Sequence, residues 1–527
     1  MALDAPESEN SKRFRGSIDD EFDACNPVTN GGERREHYDE TQPLIAFPAN
    51  SVTRTPLPWR QLSVLFCLRA VKPLVFELIF PFVNQMILEI GIVDDPERVG
   101  FYSGILESIY ACMSFISIVP CSLLSERLGR KPVILVTTSG IAISAALFGF
   151  SKLYWFMVLT RCIGGGNGGN IAALKTMLAE LTDKSNEAVA QTGFAIAYRL
   201  GQGIGQPVGG LLSHPERQFS VFDTPFWRRH PFALPGLVSG ILAMVLVFVG
   251  FYLLDETHPP KKGKAMRRFS SGSSGNSSMT SSREAQVTMS TDVDNNGPQT
   301  WISVMKSTPG LHVLMCNRAL LYLAVEGMFA LYPLFSFTPI QSGGLGSSEA
   351  DIGIILTFRA LLMLLFMFSS TYLLNRWGSL RVYRFSMALL PLTFGLLPVL
   401  NFLARSEGAG KNSAAFVLVH FLVITMWALN GLAFPATAVM VNDISPTANS
   451  LGIIISMSEL VKTFVEAIAP AFVNSTFAFS IKHNIAGGHL TYIIMMSLTT
   501  FGFVQPFWLK NRSPAWRNNA RADESPD

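Results

Sequence analysis

Two long apolar runs, residues 99–124 and 132–150, are separated only by a short basic loop. Each run is long enough for a membrane-spanning helix, which needs about 20 apolar residues to cross about 30 Å of hydrocarbon. The loop carries three cations within five residues, and basic loops tend to stay on the cytoplasmic side. We therefore expect a helical hairpin whose loop faces the cytoplasm. Its motif residues are Ser122, Glu126, Arg127, Gly129, Arg130 and Lys131.

The composition agrees with a chain that is largely solvated by lipid. Only 15% of the 527 residues are charged, against about 25% in soluble domains. The net charge of +3 is too small to indicate a nucleic-acid partner. The six cysteines form no CxxC pair, so we expect no disulfide framework and no metal centre. No phosphate loop or nucleophile elbow is visible, so we expect neither an enzyme nor a cofactor.

The polar segments divide the chain into five parts. Residues 1–58 predict a disordered cytoplasmic tail without a cleavable signal peptide, and 59–257 contain six apolar runs. Residues 258–306 form a basic, serine-rich cytoplasmic linker, 307–509 contain six further runs, and 510–527 predict a cytoplasmic tail.

The N-terminal tail contains one short string that resembles a sorting signal. Residues Glu40 to Ile45, with the sequence ETQPLI, have the form of an acidic dileucine signal read by sorting adaptors. The string is either a vacuolar or endosomal address or ordinary linker.

The two sets of apolar runs indicate an internal duplication. The segment 375–381, with the sequence NRWGSLR, is a degenerate copy of the basic loop and lies at the corresponding place in the second set. We therefore predict an all-α integral membrane protein with about 12 helices in two six-helix halves. In membrane transporters that are built from two such repeats, the substrate binds near the membrane midplane between the halves.

Charged residues inside the predicted helices are candidates for transport chemistry, because a charge at bilayer depth is costly unless it faces a cavity or a partner. Glu77 and Glu107 could share or exchange a proton, and Arg161 must point inward. Alternatively, Glu77 forms a permanent pair with a buried cation such as Arg69. Arg318 and Glu326 are either a pair or part of a pathway, and Glu459 can pair within its own helix. The expected cavity residues are Arg69, Lys72, Asn84, Asn167, Asn170, Arg199, Arg318, Glu326 and Glu459.

The fifth predicted helix contains the sequence GQGIGQPVGG at positions 201–210. It resembles the antiporter motif G-x-x-x-G-P-x-x-G-G of drug–proton exporters, with Gln206 where the proline usually stands and Pro207 one residue later. The motif residues are Gly201, Gly205, Gln206, Pro207, Gly209 and Gly210.

Together these motifs resemble the 12-helix drug:proton antiporter-like family of the major facilitator superfamily. The basic loop is similar to the family's G-x-x-x-D-R-x-G-R-K, with Ser122 and Glu126 replacing its Gly and Asp. Arg161 begins an R-x-x-x-G motif, and the strings 69–82 and 256–258 are similar to fungal relatives of plant zinc-induced facilitators. The resemblance covers about residues 60–510.

The resemblance implies a secondary transporter of a small organic solute or xenobiotic that works by alternating access. Transport would be proton-coupled antiport, for efflux or vacuolar sequestration, with Glu77 or Glu107 binding the proton and Arg161 adjusting its affinity. The loop from Glu126 to Lys131 would latch the inward-closed state. We expect a monomer in a vacuolar, endosomal or plasma membrane, with both termini cytoplasmic. The alternative function is a nutrient sensor that keeps the fold without net transport.

Overall fold

The structure is a computed structural model that describes residues 56–183, 186–257, 301–406, 411, 413–445 and 448–508. The predicted sorting string from Glu40 to Ile45, most of the linker and the C-terminal tail lie outside the described residues.

The first half consists of eight long or paired helices that make six crossings: α1 (Trp59–Glu77), α2 (Val83–Glu89), α3 (Val99–Leu128), α4 (Arg130–Phe148), α5 (Tyr154–Gly166), α6 (Ile171–Glu180), α7 (Glu187–Leu212) and α8 (Ala233–Leu253). The first crossing is interrupted, because α1 ends at Glu77 and α2 begins only at Val83. The predicted fourth helix is not continuous, because a 3-10 turn at Gly168–Asn170 separates α5 from α6.

The second half makes six crossings with seven helices: α9 (Leu311–Phe337), α10 (Glu349–Trp377), α11 (Ser379–Arg405), α12 (Ala414–Asn430), α13 (Ala433–Asp443), α14 (Ala448–Lys482) and α15 (Leu490–Val504). The predicted tenth helix is also divided, since a turn at Gly431 separates α12 from α13. Short helices at Pro215–Gln218, Pro225–Arg229 and Trp301–Ser307 lie between the crossings.

Eight of the twelve described crossings are long and apolar enough to span a membrane, judged by length and composition only, and one of these eight is α12 and α13 together. The other four crossings depart from that simple pattern for visible reasons. α1 with α2 and α5 with α6 are interrupted, while α7 and α14 carry polar or charged side chains along their length. A crossing that lines a polar cavity does not need to be apolar on every face.

Close contacts between the halves are found at the end of the bundle where α7 ends, just before His214; we call it the His214 end. The opposite end, where the loop between α3 and α4 lies, is the basic-loop end. A Cβ atom on Gly100 of α3 would lie 2.7 Å from the backbone oxygen of Asn474 in α14. A Cβ on Gly210 of α7 would lie 2.5 Å from the backbone oxygen of Glu349 in α10. A Cβ on Gly203, two turns nearer the basic-loop end, would meet only the Ala360 Cβ at 3.7 Å. The facing helices α7 and α10 are therefore farther apart at Gly203 than at Gly210.

Candidate functional site

Glu77 ends α1 in the interior of the bundle, with only 3% of its surface exposed. Its Oε1 accepts a hydrogen bond of 2.6 Å from the Gln202 side chain, and its Oε2 accepts one of 2.8 Å from Gln206. Both donors belong to α7. The alternative pairing with Arg69 is not found, because the Arg69 guanidinium lies over the ring of Tyr198 instead. Glu77 is thus a buried carboxylate held by neutral amides.

The spacing of the α7 motif explains how these amides reach Glu77. Gly201, Gly205 and Gly209 recur every four residues, so they form one face of α7. A Cβ atom on Gly201 or Gly205 would overlap the backbone oxygen of Ala70 or Leu74 in α1, and one on Gly209 would overlap that of Leu78, the residue directly after α1. The absence of side chains lets the two backbones touch. Gln202 and Gln206 follow these glycines by one residue and therefore lie beside the seam.

The displaced proline of the motif has a direct structural consequence. Gln206 occupies the position where proline usually stands and supplies one of the two hydrogen bonds to Glu77. Pro207 lies inside α7, which continues through it. Glutamine in place of the usual proline therefore adds a hydrogen bond to Glu77, the carboxylate predicted to bind the proton.

Arg359 of α10 brings a buried positive charge from the second half toward Glu77. It is 1% exposed, interacts electrostatically with Glu77, and its guanidinium carbon lies 4.2 Å from the Phe329 ring centre and 4.5 Å from that of Trp427. Arg359 is not among the residues predicted from the sequence. An arginine in the middle of the apolar run 349–374 carries the same signal that identified Glu77.

Glu107 and Arg161 form a second buried charged group in the first half. They are 2% and 3% exposed and interact electrostatically, with no nitrogen–oxygen distance within ion-pair range. The Arg161 guanidinium lies 4.6 Å from the Tyr110 ring centre, and Tyr110 contacts Phe76, the neighbour of Glu77. Glu107 Oε2 and two Arg161 nitrogens find no hydrogen-bond partner among the described residues. The three predicted proton-coupling residues are therefore close in the fold but not directly bonded.

Several predicted cavity residues hold the interrupted crossing together. Lys72 donates hydrogen bonds of 2.6 Å to Ser114 Oγ and 2.9 Å to the backbone oxygen of Gly168, at the break between α5 and α6. Asn167 bonds back to its own helix, and Asn170 lies 3.4 Å from Thr138.

Asn84 is buried in α2 and its side-chain oxygen finds no partner among the described residues.

In the second half, Arg318 pairs with a carboxylate on another helix and not with Glu326 on its own helix. Arg318 lies 3.4 Å from Glu459 of α14 rather than pairing with Glu326. Lys462 lies 3.8 Å from Glu459 and 3.6 Å from Glu466, so the α14 charges also satisfy one another. Glu326 interacts electrostatically with Glu466 and Glu77.

The basic loop is anchored within its own half. Gly129 has a φ of 106°, and its tight turn exposes the backbone N–H groups of Arg130 and Lys131, which donate to the Glu256 carboxylate at 2.8 and 3.0 Å. Arg130 also lies 3.3 Å from Glu180, to which Thr257 donates a hydrogen bond. A carboxylate at the first turn of α4 is favoured by the helix dipole. Of the other motif residues on the last turns of α3, Glu126 and Arg127 are exposed and Ser122 is partly buried.

The opposite end holds a histidine surrounded by carboxylates. The ring nitrogens of His214 lie 3.1 Å from Glu89 and 3.0 Å from Glu216, and 3.7 Å from Glu349 of the second half. Arg217 is the neighbouring cation, 4.0 Å from Glu89. Burial disfavours the charged ring, but the carboxylates outweigh it and raise the pKa of His214 above its ordinary value.

This raised pKa predicts a pH-dependent stability. Because the folded protein binds the His214 proton more tightly than the unfolded chain, the stabilisation is present below about pH 6.5 and is lost as the pH rises through the raised pKa. Thermal unfolding of the purified protein between pH 5 and 9 measures it, and we expect His214→Gln to flatten this part of the profile. His230→Gln is the control, since His230 lies in the same loop and burial lowers its pKa. An unchanged profile in His214→Gln would contradict the assignment.

Comparison with known proteins places the chain among transporters. The family model of the Major Facilitator Superfamily matches residues 65–470. The major facilitator-type transporter psiT2 of Psilocybe cyanescens is 30% identical over 86% of this chain and 90% of its own length. The efflux pump azaK of Aspergillus niger is 29% identical over 83% of this chain and 85% of its own. Zinc Induced Facilitator-Like 1 of Arabidopsis thaliana is 25% identical over 86% and 92%.

The fold has counterparts among solved structures. A bacterial homologue of the human lysosomal transporter Spinster, in an inward-facing and unoccupied conformation, superposes with a TM-score of 0.60. Its sequence identity is 12%, and the match covers 86% of this chain and 97% of that one. At this identity the likeness concerns the fold alone.

Proposed function

Because this chain belongs to the major facilitator superfamily, we propose that it is a proton-coupled antiporter that moves a small organic solute or xenobiotic by alternating access. Membership of the superfamily, and of the branch with fungal efflux pumps and plant zinc-induced facilitator-like proteins, is confirmed. The protein is a membrane transporter with an all-α fold. Antiport, with export from the cell or sequestration in a vacuole as its result, is the proposal.

The observation that supports proton coupling is the position of Glu77. Its carboxylate is buried, is held by Gln202 and Gln206, and interacts electrostatically with Arg359 of the other half. Protonation removes the negative charge and with it the attraction between the halves at this point. A ligand shifts a conformational equilibrium only if it binds the two states unequally. A proton on Glu77 meets this condition if Arg359 moves away when the halves rearrange.

Glu107 and Arg161 are proposed as a second proton site that communicates with the first. The aromatic contact between Phe76 and Tyr110 joins the two groups, with ring centres 5.1 Å apart. The Arg161 charge favours the ionised form of Glu107, so a displacement of Arg161 would change the proton affinity of Glu107.

The state of the bundle fits one half of a transport cycle. The halves are in close contact at the His214 end, and α7 and α10 are farther apart at Gly203, two turns nearer the basic-loop end. If the basic loop faces the cytoplasm, as its charge predicts, this arrangement is the inward-facing state. In this state the backbone N–H groups of Arg130 and Lys131 are bonded within the first half, to Glu256.

Reconstitution into liposomes with an internal pH-sensitive dye tests the proposal. A panel of drugs, organic acids, amino acids, polyamines and zinc chelates is first screened by thermal unfolding to find a ligand, since binding raises stability. An outward gradient of that solute should then drive protons inward. Solute movement without proton movement would contradict antiport. Binding without solute movement would instead support the sensor.

A further inference from the structure

Cations and aromatic rings alternate across the space between the two halves. In the first half, the guanidinium carbons of Arg69 and Arg199 lie 4.5 and 5.4 Å from the ring centre of Tyr198. The Arg199 guanidinium also lies 5.0 Å from the ring of Phe434 in α13, which belongs to the second half.

The series continues within the second half. The Phe434 ring lies 5.7 Å from that of Tyr322 in α9, and the Lys462 ammonium lies 5.7 Å from the Tyr322 ring. We call the whole series the cation–aromatic array; its members are Arg69, Tyr198, Arg199, Phe434, Tyr322 and Lys462. Five helices contribute to it, namely α1, α7, α13, α9 and α14.

The charges of the array are balanced at only one of its ends. Lys462 has Glu459 and Glu466 within 4 Å. Among the described residues, neither Arg69 nor Arg199 has a carboxylate oxygen within 4 Å. The Arg199 guanidinium donates a hydrogen bond of 2.7 Å to the neutral side chain of Gln202. The buried Nε of Arg69 finds no hydrogen-bond partner among the described residues.

A neighbouring cation increases this imbalance. Lys72 lies one turn from Arg69 on α1, and its bonds go to the neutral Ser114 hydroxyl and a backbone oxygen. A partly desolvated cation is costly unless a negative charge pairs with it. The first-half end of the array therefore holds cations that form no direct ion pair with a carboxylate of the described residues, although Glu466 and Glu77 interact with Arg69 and Arg199 electrostatically at longer range.

We propose that the cation–aromatic array is the substrate site and that it takes an aromatic organic anion. The anionic group would bind Arg69 and Arg199, whose planar guanidinium groups suit a carboxylate or a similar oxyanion. The aromatic body would lie against Tyr198, Phe434 and Tyr322, because offset or edge-to-face ring contacts are favourable. This inference rests on the proposed transport function for the role of the site, and it adds the chemical class of the solute.

The array disfavours an organic cation. A cation would approach Arg69, Lys72 and Arg199. Of the nearby carboxylates, Glu459 and Glu466 are already paired with Lys462, and Glu77 already accepts hydrogen bonds from Gln202 and Gln206. A neutral solute would leave Arg69 without a direct ion pair. Only an anion both pairs with the cations and uses the rings.

Binding to the detergent-purified full chain tests this with four matched probes: 2-naphthoate, its neutral amide 2-naphthamide, the cation 2-naphthylmethylammonium, and the saturated, non-aromatic anion decahydro-2-naphthoate. Thermal unfolding over a concentration series gives the Kd of each probe. We expect 2-naphthoate to bind at least about tenfold more tightly than the other three, because each of them lacks either the negative charge or the aromatic ring system. Equal or tighter binding of the amide or the cation, or no binding of 2-naphthoate, would overturn the proposal.

Variants locate the binding to the array. Arg69→Gln should weaken 2-naphthoate about tenfold or more, and Arg69→Lys should weaken it less, because the charge remains. Arg228→Gln is the matched control, since Arg228 is an exposed arginine in the 213–232 loop that pairs with Asp223. If Arg69→Gln does not yield folded protein, Arg199→Gln replaces it. An unchanged Kd in a folded variant of either residue would overturn the assignment.

This experiment tests the anion site independently of the proposed antiport, because it measures binding without a membrane or a proton gradient. Binding of 2-naphthoate without proton flux in liposomes would remove antiport and keep the anion site. Proton-coupled transport of a solute that carries no negative charge would remove the anion site and keep antiport.

Discussion

Glu77→Gln is expected to abolish proton-driven transport while the protein remains folded. The glutamine side chain has nearly the same shape but cannot carry a titratable proton. The carboxylate now accepts two amide hydrogen bonds, from Gln202 and Gln206. A glutamine can keep one acceptor contact and loses the other, at a cost of about 1 kcal/mol in stability, which a folded protein of this size tolerates.

The loss should appear as a change in what drives transport. Wild-type proteoliposomes with an imposed pH gradient should accumulate solute against its own gradient. Glu77→Gln should reach only the level at which internal and external solute are equal. Exchange of labelled for unlabelled solute at equal pH should persist, because the substrate contacts of the cation–aromatic array are unchanged.

Asp95→Asn provides the matched control. It also removes one carboxylate, but Asp95 is exposed and pairs with Arg98 in a loop, so proton-driven accumulation should be unaffected. Full accumulation in Glu77→Gln would remove Glu77 from the coupling mechanism and leave Glu107 as the remaining candidate.

The sequence identified Glu77 but not its surroundings, and the reason is physical. A carboxylate inside an apolar run is conspicuous because burying a charge is costly. Which side chain meets it depends on the register between α1 and α7, which are 125 residues apart at the Glu77–Gln202 contact. Apolar periodicity within each helix does not fix that register; the glycine seam does.

The same limit applies to the second half and to the breaks in the crossings. Arg318 and Glu326 lie on similar faces of one helix, yet the partner of Arg318 is Glu459 on α14. The apolar runs predicted the twelve crossings because lipid imposes a length and a composition. They did not predict the turns at Gly168–Asn170 and Gly431, because such interruptions are stabilised by contacts such as that of Lys72 with the backbone oxygen of Gly168.

Gly205→Ala is expected to destabilise the fold, although alanine favours helices over glycine by about 1 kcal/mol. The added methyl group would overlap the backbone oxygen of Leu74 and lie 3.1 Å from its Cα. Because backbone atoms cannot rotate away, α1 and α7 must separate. Overpacking of this kind costs about 1–3 kcal/mol, and more when a larger side chain is introduced.

Gly203→Ala is the matched control on the same helix, two residues away. Its Cβ would meet only the Ala360 Cβ at an ordinary 3.7 Å, so its stability should stay equal or rise by up to about 1 kcal/mol. Thermal unfolding in detergent should therefore order the variants as Gly203→Ala, wild type, Gly205→Ala and Gly205→Val, from most to least stable. Equal midpoints for the two alanine variants would show that α1 and α7 are not in backbone contact at Gly205. Since that contact positions Gln202 and Gln206, such a result would also remove the structural basis for the hydrogen bonds to Glu77.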